Sequence, residues 1–222
     1  MGHSLIQEVL APVEIGFILA APFIAIALHR RSLLGAPGSM VDAARFSMPV
    51  LVAASLAAGL IHAAVIEEHL AESVLFGSFF VASAIFQIGW AWLYMRSSSR
   101  GLATAAVVVN TVIIAVWLVS RTTGLPFGPA PWVAESIGVP DIFATLFQVL
   151  IVAGTLAVTA RRWHGAALRP RWTVASADLA MVLILVVITM TTSYALMDIS
   201  LNGAHAEQDV ADHAASTMVV TR

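Results

Sequence analysis

Val74-Leu-Phe-Gly-Ser-Phe-Phe-Val-Ala-Ser-Ala-Ile-Phe-Gln-Ile-Gly-Trp-Ala-Trp-Leu-Tyr-Met95 runs its whole length without a charged residue. Wound as a helix at ~1.5 Å per residue, such a stretch covers the ~30 Å hydrocarbon core of a bilayer. Five further runs have about the same length: Leu10–Leu28, Pro49–Ile66, Leu102–Ser120, Ile142–Ala160 and Val174–Met197. The fold class is therefore all-α, an integral membrane protein built as a bundle of six transmembrane helices. Residues 1–198 form the bundle and residues 199–222 a polar tail. The composition agrees, with 59% hydrophobic and 11% charged residues and a mean hydropathy of +0.91. A soluble domain of this size could not keep so much apolar surface from water, whereas in a bilayer it faces lipid.

The charges sort to opposite ends of the runs. Nine of the eleven arginines lie in three alternate loops: Arg30, Arg31 and Arg45, then Arg96 and Arg100, then Arg161, Arg162, Arg169 and Arg171. Eleven of the thirteen acids lie on the other side. By the positive-inside rule the arginine loops are cytoplasmic, so both termini are extracytoplasmic and the protein is a multi-pass cell-membrane protein. Met1–Leu10 has no cationic segment and reads as a short outer lead-in, not a cleaved signal peptide. Trp90, Trp92 and Tyr94 read as anchors at the inner interface, with Trp163 and Trp172. Trp117, Trp132 and Tyr194 read as outer ones. Pro22 predicts a kink in the first run, and Pro49 suits the first turn of the second. Arg121–Trp132 is too rich in Gly and Pro for a helix, so it either caps the outer face or dips into it.

The residue types present exclude much chemistry. Cysteine and lysine are both absent, which removes disulfides, thiolate metal sites, cysteine nucleophiles, Schiff bases and phosphate-loop lysines. Only His62 lies within a span, too few for a di-haem cytochrome or a histidine-rich hydroxylase. The arginines are accounted for by topology, so no nucleic-acid partner is expected. The expected surroundings are the lipid bilayer and, in one reading, other membrane subunits.

The most pointed segment is His62-Ala-Ala-Val-Ile-Glu67-Glu68-His69-Leu-Ala-Glu72. Ser55, Gly59 and Ala63 form a small-residue stripe that lets helices approach closely. His62 shares that stripe, seven residues after Ser55, and so should face protein. An ionisable residue inside the bilayer marks a functional site or a hydrogen bond across helices. Imidazole and carboxylate together suit a divalent or copper ion, whether zinc, copper or iron. The candidate ligands are His62, His69, Glu68, Glu72, Glu14 and His205, with His3, Asp198 and His213 as further candidates. The competing reading of His69 and the glutamates is a solvated turn. Met190 and Met197 are one heptad apart and could serve Cu(I), though such pairs are commonly packing.

Two polar features remain. Arg121 stands at the outer end of its run against the positive-inside pattern. It predicts a structural ion pair with a carboxylate, with Asp141, Glu14 and Glu67 as candidates, or else an anion site. Asp141, Thr145, Gln148, Thr155 and Thr159 share one face of the fifth run. With Asn110, Ser83, Gln87, Thr189 and Thr192 they could line a polar path, or simply bond their own backbones and neighbouring helices. The leading functional reading is metal binding or handling on the extracytoplasmic face, for transport or redox support. The alternative is a non-catalytic structural or assembly subunit of a larger membrane complex. A third reading is a small membrane enzyme using His62 with Glu14 or Glu67 as acid and base.

Overall fold

The computed structural model describes residues 43–164 and 179–201. These form six helices: α1 Ala43–Ala64, α2 Ile66–Glu72, α3 Val74–Arg96, α4 Arg100–Thr122, α5 Val139–His164 and α6 Leu179–Leu201. No strand occurs among the described residues. All but α2 are long and apolar enough to cross a membrane. The predicted first run Leu10–Leu28, with Glu14 and Pro22, lies outside the described residues. So do the arginines of the two longer loops apart from Arg45, Arg161 and Arg162, and the tail with His205 and His213.

α1 is already helical at Ala43, so Pro49 falls inside the helix instead of in its first turn. Its ring leaves the carbonyl of Arg45 without the usual intrahelical donor. The second run does not continue smoothly to Ile66. The helix breaks at Val65 (φ −95°, ψ 2°), and the polar segment forms the separate helix α2.

α1 packs on α3 and α5, α5 packs on α4, and α2 folds against α3. Leu51, Ala54, Ala58 and Ile61 of α1 meet Ala91 of α3 and Ile151 of α5, with Ile188 and Ala195 of α6 in the same core. The small-residue stripe is what lets α1 and α3 close together. A Cβ on Gly59 would stand 2.8 Å from Ile88 Cγ1 and 3.1 Å from Gln87 Cβ. On the outward faces Ile85, Val108, Leu146 and Leu156 are exposed. That apolar girdle is costly in water and ordinary against lipid.

A buried polar relay ties three helices. Ser55 Oγ donates to the backbone oxygen and Oε1 of Gln87, both at 2.8 Å. Gln87 Nε2 donates to Asn110 Oδ1 at 2.8 Å, and Asn110 Nδ2 to the Ala106 carbonyl at 2.7 Å. Trp90 and Tyr94 do not sit at an interface as anchors. Both are buried, their rings stack at 4.6 Å, and Trp90 Nε1 donates to the Leu102 carbonyl at 2.8 Å. Exposed Trp92 is the ring left outside, with Arg96 over its face at 4.3 Å. An aromatic cluster at a helix end reads the same in sequence whether it faces lipid or a neighbouring helix.

The α4–α5 connection caps its end of the bundle. Glu135 N donates to the Ser120 carbonyl at 3.0 Å and Trp132 N to that of Leu125 at 2.8 Å, folding the loop back on α4. Gly128 has φ +104°, and a Cβ there would stand 2.4 Å from Phe76 Cζ of α3. Only glycine supplies both the left-handed backbone and the close approach.

Candidate functional site

Under this loop lies a cavity of about 200 Å³, where α1 and α4 end and α3 and α5 begin. Its walls are mostly apolar: Ile61, Phe76, Phe79, Phe80, Ile113, Val116 and Trp117. Its polar members are His62, His69, Ser120, Arg121, Glu135, Asp141, Thr145 and Gln148. Phe127 and Glu135, both exposed, stand where the cavity meets the surface.

His62 is buried on the α1 stripe, 5% exposed. Its Nε2 lies 2.8 Å from Nε2 of Gln148 on α5. Two nitrogens so placed form a hydrogen bond in one way: the amide N–H donates, and the imidazole Nε2 is unprotonated with its proton on Nδ1. The amide's other end, Gln148 Oε1, is then buried with no hydrogen-bond partner among the described residues. His69 turns its Nδ1 to the Val65 carbonyl at 2.8 Å. Both imidazoles rest on Phe80, at centroid distances of 5.6 Å for His62 and 4.0 Å for His69.

Arg121 is the electrostatic centre of the cavity wall. Its side chain is 10% exposed. Nη2 donates to Asp141 Oδ2 at 2.7 Å, and Nη1 donates to Glu135 Oε2. Asp141 Oδ2 also accepts from Gly138 N at 3.0 Å, which fixes the carboxylate at the start of α5. Two carboxylates thus face one guanidinium, leaving an excess of negative charge. Arg121 Nε and Trp117 Nε1 are buried without a partner among the described residues.

The expected residues divide into three groups. His62, His69, Arg121, Asp141, Thr145 and Gln148 come together around the cavity. Asn110 and Gln87 stand in the separate relay with Ser55, and Thr159 donates to the Thr155 carbonyl of its own helix at 2.8 Å. Glu68 and Glu72 are exposed on α2, while Glu14 and His205 lie outside the described residues. Among the described residues no three His, Asp or Glu side chains gather closely enough to hold a metal ion.

Sequence reasoning missed Glu135 as a partner of Arg121, and the pairing of Gln148 with His62. Glu135 sits in a loop without periodicity, so only the fold-back onto Ser120 brings it to Arg121. The seven-residue step from Asp141 to Gln148 does place both on one α5 face, and that signal was readable. Comparison with protein-family models, curated proteins and solved structures gives no match.

Proposed function

We propose that this chain is a multi-pass membrane protein that binds a small, largely apolar molecule in the cavity beneath the α4–α5 loop. The carboxylate-bearing end holding that cavity lies outside the cytoplasm, and both termini lie on the same side. The observation carrying the binding reading is the cavity itself: aromatic walls with a few converging polar groups are the usual composition of a small-molecule site. The orientation rests on charge. Arg96 and Arg100 flank the opposite end, and Glu67, Glu68, Glu72, Glu135 and Asp141 flank this one. Saturable binding of benzene-sized molecules to the purified chain in detergent tests the reading. The T145W variant, which puts a large ring on the cavity wall, should lose that binding. Binding unchanged in T145W would place it elsewhere and overturn the proposal.

A second reading keeps a zinc, copper or iron ion at this end. It is favoured by the two imidazoles, His62 and His69, bordering one cavity. Glu14, His205, Glu68 or Glu72 would have to complete the ligand set, and an ion on His62 Nε2 would displace Gln148. Metal analysis of purified protein decides it. Stoichiometric metal that is lost in H62A supports it. A folded protein purified without metal and unchanged by added ions discards it.

A further inference from the structure

Resting on the small-molecule reading of the cavity, we propose that its ligand is an organic monocation, a compact apolar body carrying an ammonium head. One guanidinium and two carboxylates border the cavity: Arg121, Glu135 and Asp141. Arg121 offsets one of the two negative charges and leaves the other. The two signs are also unequally presented. The Arg121 side chain is 10% exposed, against 26% for Asp141 and 40% for Glu135. A guest arriving from the surface therefore meets carboxylate first. Backbone hydrogen bonds keep it there. Glu135 N donates to the Ser120 carbonyl, and Gly138 N donates to Asp141 Oδ2. A carboxylate has about four lone-pair sites, so pairing with Arg121 does not exhaust either one. Apolar walls focus such an excess of charge onto the mouth.

The interior suits the rest of such a guest. Phe76, Phe79, Phe80 and Trp117 line it, and exposed Phe127 stands at the mouth, where its ring can meet an ammonium. The size agrees: an apolar cavity of ~150 Å³ takes up benzene, and this one measures about 200 Å³. The apolar body then lies among the rings while the head stays at the mouth, close to water and to the carboxylates, and so avoids full desolvation. Other charge types fit less well. An anion would add a third negative charge beside one guanidinium. An inorganic ion gains little from apolar walls, and among the described residues no three His, Asp or Glu side chains gather to hold one. A neutral guest makes no use of the excess charge.

The test compares equilibrium binding of phenyltrimethylammonium, benzyl alcohol and benzenesulfonate to the full chain in nonionic detergent. Dialysis against the same detergent without protein cancels uptake by micelles. Phenyltrimethylammonium should bind about tenfold more tightly than benzenesulfonate, since one screened charge attracts the first and repels the second. Benzyl alcohol should fall between them. Raising salt from ~0.01 M to ~1 M shortens the Debye length from ~30 Å to ~3 Å. That change should weaken the cation about threefold and leave the alcohol unchanged. E135Q removes the excess charge, so it should weaken the cation about threefold, strengthen the sulfonate and leave the alcohol as it was. Alcohol binding thus reports that the cavity of the variant is intact. Hexylphosphocholine carries the same trimethylammonium beside a phosphate and should bind more weakly than phenyltrimethylammonium. Equal binding would give the site to a lipid head group and overturn the monocation. Sulfonate binding as tight as the cation's, or an E135Q change that is absent or equal for cation and alcohol, would overturn the monocation assignment alone. Absence of saturable binding by all of them would overturn the cavity reading as well.

Discussion

Arg121 shows how much a single side chain can depend on its partners. Its guanidinium is withdrawn from solvent and held by Asp141, itself 26% exposed, and by Glu135, 40% exposed. R121M should therefore cost on the order of 2 kcal/mol, less than the ~3–5 kcal/mol of a fully buried pair because both carboxylates can rehydrate. E135Q should cost less than about 1 kcal/mol, since an exposed pair is worth little. Denaturation of the detergent-solubilised variants checks this ranking, and an E135Q loss as large as that of R121M would contradict it. His62 and Gln148 should behave as a unit. Either single change to leucine strands the other side chain, at about 1–3 kcal/mol, while H62L/Q148L should lose less than the two singles added together.

Among the elements, α1 depends on its small residues as well as on its buried Leu51 and Ile61. Gly59 stands where α3 leaves no room, so G59V should force the helices apart and destabilise by about 1–3 kcal/mol or more. A G59V protein as resistant to unfolding as the parent would show that the helices do not cross there. The elements differ in how readable they were. The five long helices among the described residues are legible from apolar length alone, because a bilayer demands about 20 such residues whatever surrounds them. In sequence α2 reads as a solvated turn, since nothing in its seven residues signals the break at Val65. The inward placement of Trp90 and Tyr94 depends on which helix stands beside them. The same is true of the choice of Gln148 as the described partner of His62. Helix neighbours are set by packing across the whole bundle and leave little trace in local periodicity.

Across the whole molecule an apolar girdle, a charge asymmetry and a cavity at the carboxylate-bearing end come together. We propose that this end opens outside the cytoplasm, where a small guest can reach it. The natural chain contains no cysteine, so a single introduced thiol reports its own position without background. The most direct measurement labels the E135C and S98C variants in intact cells with a membrane-impermeant maleimide. E135C at the cavity rim should label from outside, and S98C at the opposite end only after the membrane is permeabilised. S98C labelling from outside while E135C stays protected until permeabilisation would contradict the claim.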